Sequence, residues 1–425
     1  MRSSELVDVR IRSLASDGSG IGELPDGRVL FVPRTSPGDE VRVKLTTLRS
    51  RWARGEVEEV IKRGEERKDP ICSLYSECGG CSLQHISYSE QLKWKGRFVS
   101  DALSRIGGLG VTQTSVIPSP NHERYRNKVT FSLKRLRNGR VVAGFHNLYQ
   151  KNQIIEVSDQ CILPEEHLIA AWISLRKNWG RSAARLPRGG HLRLTLRSSS
   201  TGVYLCIKGG RSGWNPELLM DRVPLVSTVW HESADTKALE LVYGKPHLDL
   251  WAGNEITLIG DTFLQVNQSA AELLQEYVLK RAGSPMTAVD AYCGIGHYGR
   301  VLAKSGAKVV GIDVNRPTFR SPRKESDENY RFVHGSVEEH LSRFLPADLC
   351  ILNPPRSGLA EILPPQILRR SPQKIIYVSC DAATLARDLG RLKSSYSLID
   401  HQAFDLFPQT SHVETVITLR RSKGE

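Results

Sequence analysis

No apolar run in this chain reaches the ~18 residues needed to span a bilayer, and its opening stretch, MRSSELVDVRIRSL, lacks the apolar core of a secretory signal. Both absences predict a cytosolic protein with no membrane partner. Cysteine is scarce, at 8 of 425 residues, too few for a disulfide scaffold. In a reducing compartment such cysteines are free thiols, metal ligands or a nucleophile. Internal repeats and low-complexity tracts are missing, and the 25% charged and 40% apolar content excludes a disordered chain. Acid is also short: 46 Asp and Glu face 59 Lys and Arg, for a net charge of +13.

That excess is local. Between Lys93 and Lys151 there are twelve Lys/Arg and two acids, so this stretch alone holds +10. Charge focused in one segment points to a polyanionic partner, a nucleic acid. Within it, Arg124-Tyr125-Arg126-Asn127-Lys128 and then Lys134, Arg135, Arg137 and Arg140 lie near Phe131 and Phe145. Strand-borne cations with interleaved aromatics suit phosphate contact and base stacking.

Three regions follow from the pattern. Residues 1–62 hold short alternating strands (VDVRIRSL, GRVLFVP, DEVRVKLTTL, ARGEVEEVIK) divided by turn-forming SDGSGIGELPDG and RTSPGD. Four or five strands in that length predict an OB-like barrel. Residues 63–260 carry a cysteine cluster, a helix from about Ser87 to Ile106 that is a candidate to dock on the C-terminal region, and then a strand-rich stretch. Residues 261–425 alternate helix and strand, which predicts a mainly parallel, Rossmann-like α/β sheet with its site at the carboxyl ends of the strands.

The chemistry-bearing residues fall at such ends. Asp290-Ala291-Tyr292-Cys293-Gly294-Ile295-Gly296 is a strand running into a glycine turn. Its two glycines alone fall short of the three-glycine dinucleotide fingerprint. The next strand ends in Asp313, where an acid can accept from a ribose diol. Asn353-Pro354-Pro355-Arg356 closes a third strand; an Asn-Pro-Pro start is the mark of amino-directed methyltransferases, although Arg stands where they carry an aromatic. Cys380 leaves the strand IIYVSC ahead of the helix AATLARDLGRL, placed for thiolate stabilisation by the helix N-terminus and hence for nucleophilic attack. Glu414 opens the last strand, where apolar surroundings raise a carboxylate toward general-base work, with His412 as the second candidate. Apart from these, Cys72-x5-Cys78-x2-Cys81 with distant Cys161 has the donor set for a [4Fe-4S] cluster or, less well by its spacing, Zn²⁺.

Together these stretches resemble the RNA uracil-C5 methyltransferase family, and the N-terminal strands resemble a TRAM domain. CSLYSECGGCSLQH, DQCIL, RYRNKVTFS, DTFLQVNQ, VDAYCGIG, GIDVN, NPPRSGL, YVSCDAATLARDL and FPQTSHVETV stand in the family's order across nearly the whole chain. The resemblance implies a class I methyltransferase fold using S-adenosylmethionine. It implies Cys380 as nucleophile and Glu414 as base. It implies cofactor contacts at Gln265, Tyr292, Asp313 and Asn353, and cluster ligands at Cys72, Cys78, Cys81 and Cys161. Asn353 replaces the family's usual acid, keeping an acceptor but losing its charge. Ribosomal RNA is the favoured substrate, with transfer RNA as the alternative, and the protein is expected to be a monomer. Two rival readings are an amino-directed methyltransferase and a non-catalytic iron–sulfur RNA-binding protein.

Overall fold

The computed structural model describes residues 4–251, 254–260, 264–315 and 328–422. The N-terminal region has six strands: β1 (Leu6–Arg10), β2 (Ser13–Leu14), β3 (Gly20–Glu23), β4 (Val29–Val32), β5 (Glu40–Leu48) and β6 (Trp52–Lys62). They form one sheet in the order β1-β5-β6-β4-β3-β2. Alternation puts Val41, Val43 and Leu45 of β5 inward with Leu30 and Val32. Three register shifts between β5 and β6 bend that ladder. The sixth strand, β2, has only two residues, too few to leave an alternating pattern in sequence.

Helix α1 (Tyr88–Arg105) begins where Ser87 accepts a hydrogen bond from the Glu90 N–H at 3.3 Å. After β7 (Val116–Ile117), the central region holds β8 (Lys128–Arg135), β9 (Val141–His146), β10 (Ile154–Glu156), α2 (Glu166–Asn178), β11 (His191–Ser199), β12 (Gly202–Lys208), α3 (Glu217–Met220), β13 (Val226–Glu232) and β14 (Leu239–Gly244). Its seven-stranded sheet runs β10-β9-β8-β11-β12-β13-β14. A hairpin, β15 (His247–Trp251) and β16 (Asn254–Leu258), follows it. One face of the sheet buries Val129, Phe131 and Leu133 against Trp172 of α2. Phe131 stacks on Trp172 with ring centroids 4.0 Å apart and meets Phe145 at 5.0 Å, so both phenylalanines are core residues and neither is free to stack on a base.

The C-terminal region contains α4 (Gln268–Ala282), β17 (Thr287–Ala291), α5 (His297–Lys304), β18 (Lys308–Asp313), β19 (Tyr330–His334), α6 (Val337–His340), β20 (Leu349–Leu352), α7 (Leu363–Arg369), β21 (Lys374–Ser379), α8 (Ala382–Leu392), β22 (Tyr396–Phe404) and β23 (Glu414–Arg421). Its sheet order is β19-β18-β17-β20-β21-β23-β22-β7, parallel except at β23. The last member, β7, comes from the middle of the chain and pairs with the end of β22. Helix α1 accompanies it: Val99 and Leu103 join the core beneath α8. Lys95, with no exposed surface, donates to Asp405 at 2.6 Å and to the Phe407 carbonyl at 3.1 Å. No described helix is long and apolar enough to cross a membrane.

Candidate active site

Strands β21 and β23 are antiparallel, with Ser379 opposite Thr415 as the last ladder pair. One step further brings Cys380 level with Glu414. Glu414 also pairs with Phe404 of β22, so it is flanked by strands on both sides and buried. Burial pushes its carboxyl up to about 7, against the pull of the Arg356 cation. Burial also raises the Cys380 thiol, and the Glu414 charge adds to the rise.

The group that favours a Cys380 thiolate is Arg356, by charge and by a hydrogen bond, and not the helix N-terminus expected from sequence. The Asp381 carboxylate caps α8, accepting from the Thr384 N–H at 2.8 Å. Arg356 arrives from the Asn353-Pro354-Pro355 turn, and its Nη2 lies 3.5 Å from His412 Nε2. Burial, and then the Arg356 charge, hold His412 down at about 4, which makes it a weaker base than Glu414 near neutral pH.

Tyr292, Asp313 and Asn353 follow or end the neighbouring strands β17, β18 and β20. Tyr292 takes a positive φ of 59° and donates its hydroxyl to Glu338 at 3.0 Å. Gly294 has φ +54°, and a Cβ there would meet nothing within 4 Å: the turn opens onto free space. Both Asp313 oxygens receive backbone N–H groups, from Gly294 and Asn315, each at 2.8 Å. Gly299, three residues past Gly296, completes a G-x-G-x-x-G spacing that the window ending at Gly296 cut short. A Cβ at Gly299 would come within 2.6 Å of the Tyr330 ring, so this glycine permits close helix–strand packing. Gln265 is held by the central region. Its carbonyl accepts from Asn127 Nδ2 at 3.1 Å, and the Asn127 N–H donates to the Val266 carbonyl at 2.9 Å. Asp261 to Phe263, which open DTFLQVNQ, lie outside the described residues.

The basic run Arg124–Lys128 does not form the phosphate-facing strip its charge suggested. It is an internal strap. Arg124 donates to the Cys161 carbonyl at 2.6 Å, Tyr125 donates its hydroxyl to the Pro408 carbonyl at 2.9 Å, and Asn127 holds the Gln265 segment. Arg135 likewise spends its guanidinium on backbone carbonyls of residues 182–189. Arginine forks suit such carbonyl clamps as well as they suit phosphate, and composition does not distinguish the two uses.

Behind the strap, Cys72, Cys78, Cys81 and Cys161 line a cavity of about 140 Å³ together with Tyr75 and Arg126. Burial pushes the Cys81 thiol up to about 11 and Cys161 up to about 12, while the Arg126 charge pulls Cys81 down. From the barrel, Arg34 donates to the Cys78 carbonyl at 2.6 Å and to that of Cys81, and lies 3.7 Å over the Tyr75 ring. Cysteine loop and active site meet directly. The Ser82 and Leu83 N–H groups donate to the Gln409 carbonyl at 2.9 and 3.0 Å, and the Ser411 N–H donates to Ser82 Oγ at 2.8 Å. Gln91 and Lys95 of α1 brace the same loop through Gln409 and Asp405. Sequence reading passed over Gln91, Lys95 and Ser82, and took Asn127 only as part of the basic run. Their only signal was polarity at otherwise helical or loop positions.

Comparison with known proteins agrees with this geometry. Residues 4–57 match the TRAM domain family, and residues 339–422 match the tRNA (Uracil-5-)-methyltransferase family. A protein of Thermosynechococcus vestitus named as an RNA methyltransferase is 34% identical, covering 98% of each chain. One from Gloeobacter violaceus is 35% identical over 98% of this chain and 97% of its own. The chain belongs to the RNA (uracil-5-)-methyltransferase family. The structure of Pyrococcus abyssi tRNA (uracil-54, C5)-methyltransferase with S-adenosyl-L-homocysteine superposes with a TM-score of 0.72 at 25% identity, covering 97% of this chain and all of the other. The enzyme is thus an RNA methyltransferase with an N-terminal TRAM domain and a class I methyltransferase fold.

Proposed function

We propose that this methyltransferase modifies C5 of a uridine through a covalent bond between Cys380 and C6 of the base. The supporting observation is the register that sets Cys380 opposite Glu414 at one sheet end. Uracil C5 is too weak a nucleophile to be methylated unaided. Addition of the Cys380 thiolate to C6 moves electron density onto C5. S-adenosylmethionine, when bound, supplies the electrophilic methyl group. The free space over Gly294, at the same end of the sheet as Tyr292, Asp313 and Asn353, supports such a ligand, with Gln265 as the further proposed contact. Glu414 then takes the C5 proton, the C5–C6 electron pair re-forms, and the Cys380–C6 bond breaks. Arg356 favours the thiolate at the start and at the end. RNA carrying 5-fluorouridine tests the reading, because fluorine does not leave as a cation: the enzyme should form a denaturation-resistant adduct that Cys380→Ser abolishes. Absence of an adduct on both ribosomal and transfer RNA overturns it.

The cysteine cavity supports a [4Fe-4S] cluster held by Cys72, Cys78, Cys81 and Cys161. The supporting observation is that all four thiols line one cavity, and the C-x5-C-x2-C spacing departs from the paired C-x2-C knuckles of structural zinc. A bound cluster would cross-link the loop that supports Gln409 and Ser411. Iron and sulfide analysis after anaerobic purification, with Cys161→Ser as control, tests this.

We assign the proposed units to residues 1–62, 63–260 and 261–425, with α1 and β7 packed on the third. Ribosomal RNA is the proposed substrate. The likeness to a tRNA (uracil-54) enzyme favours transfer RNA as a second reading, and mapping 5-methyluridine in total RNA from a deletion strain separates them. The amino-directed reading predicts that Cys380→Ala keeps methyl transfer. It is disfavoured by Arg356, which occupies the position of an aromatic clamp and turns to the thiol instead.

A further inference from the structure

The central sheet has two unlike halves on the face opposite its α2-covered core. Along β8 that face carries Lys128, Thr130, Ser132 and Lys134 in turn, since side chains alternate. Across the ladder they meet Arg197, Thr195, Arg193 and His191 of β11, and Arg193 meets Lys208 of β12. The half near Lys128 is covered: Thr195 and Arg197 are buried, and Tyr204 and Cys206 of β12 pack with Leu264 and Ala271 beside α4. The half near Lys134 is open, with His191 and Arg193 exposed. There the sheet forms a groove of about 440 Å³ lined by Lys134, His146, Lys151, His191, Arg193 and Lys208, with no carboxylate in its wall. Glu232, paired to Lys208 at 3.1 Å, stands at its side.

We propose that this groove holds the phosphate backbone of the same RNA whose uridine enters the Cys380 site. The inference rests on the uridine reading above and adds the path of the strand. Three observations carry it. First, the lining has cations on three strands and one loop and no acid, which suits a polyanion. Second, the groove and the residue that holds the Gln265 segment adjoin along one strand. Asn127, which holds Gln265, immediately precedes β8, and Lys134 is seven residues on, so the two are about 23 Å apart at ~3.3 Å per residue. A flipped uridine in the active site leaves its flanking nucleotides within reach of that distance. Third, other cations of the same basic stretch are committed elsewhere: Arg124 and Arg135 hold protein carbonyls, and Arg140 pairs with Glu156. The groove reads no bases. It fixes the direction in which the RNA leaves the catalytic domain.

The salt dependence of RNA binding by the full-length enzyme tests the proposal. Lys134→Gln/Arg193→Gln removes two cations and should lower the slope of log K against log salt by about 1.4 to 1.8. Calorimetric binding of S-adenosylmethionine reports that the variant is folded; should the pair misfold, Lys134→Gln alone should lower the slope by about half as much. Photo-crosslinks from nucleotides flanking the target uridine should land on β8, β9 or β11. An unchanged slope in a folded variant overturns the groove. So do crosslinks confined to the barrel, or a groove whose loss affects capture of an acidic protein but not of RNA. If the wild-type enzyme forms no 5-fluorouridine adduct, the uridine reading fails by itself; an adduct with an unchanged slope fails the groove alone.

Discussion

The proposed function puts cysteine to two uses, and the two sites differ less in residues than in surroundings. Around the cavity, four thiols face one another in an apolar pocket, and burial drives Cys81 and Cys161 to about 11 and 12. Thiols held that firmly protonated are poor nucleophiles, and a metal group must displace their protons. At the sheet end, Cys380 is only half-buried, with one carboxylate and one guanidinium beside it. Each site has its arginine, Arg126 at the cavity and Arg356 at the nucleophile. Under the proposed function, number of neighbours and access separate the thiols that bind from the one that attacks.

Removing the attacking thiol should break the comparison most completely. Cys380→Ala is expected to lower methyl transfer by ~10⁶-fold, the scale on which losing a covalent nucleophile acts, while iron content stays at the wild-type level. Residual transfer within tenfold of wild type would mean that Cys380 attacks nothing. Glu414→Gln should be the next largest, slowing turnover by about 10²–10⁴-fold and letting adduct accumulate on ordinary uridine RNA. Its pH signature has a definite sign. Glu414 must be ionised to accept the proton and titrates near 7, so turnover should fall as pH drops through that value. The glutamine variant should lose that limb of the profile, and a profile flat from pH 6 to 8 in the wild type contradicts the assignment.

Lys95 tests the brace that both sites share. Lys95→Met leaves Asp405 buried without its cation, at a cost of about 3–5 kcal/mol, read as an earlier denaturation transition of the C-terminal domain. Lys95→Met/Asp405→Leu should recover much of it; equal losses for single and double variants would show that the pair is not the cause. Arg356→Gln gives the smallest and sharpest shift. Without the guanidinium, both the Cys380 thiol and the Glu414 carboxyl move up. The alkylation profile of Cys380 and the acid limb of turnover should therefore move to higher pH together. Movement of one without the other separates the two roles assigned to Arg356.

Much of this was legible in advance, and the reasons are local. Ser87 caps α1 as its hydroxyl implied, and the strand–turn–helix passages at β17–α5 and β21–α8 follow from apolar runs meeting glycine or an Asx cap. What escaped was long-range or depended on direction. The arginines of the strap look outward in sequence because nothing nearby shows the carbonyls of Cys161 or residues 182–189 to them. The two-residue strand β7 is too short to carry periodicity and finds its partner 287 residues away.

The placement of β7 and α1 bears on how the chain is made. Ser115 and Gln402, bonded at 2.9 Å beside the β7–β22 ladder, are 287 residues apart. At a synthesis rate of ~5–20 residues per second, α1 and β7 leave the ribosome roughly 15–60 s before β22 exists. For that interval Val99, Leu103 and the ammonium of Lys95 have no completed domain to enter. A nascent chain stalled before residue 396 should hold the barrel folded and the 88–117 segment open to protease and chaperone, and closure of the catalytic domain should be the last folding event of translation.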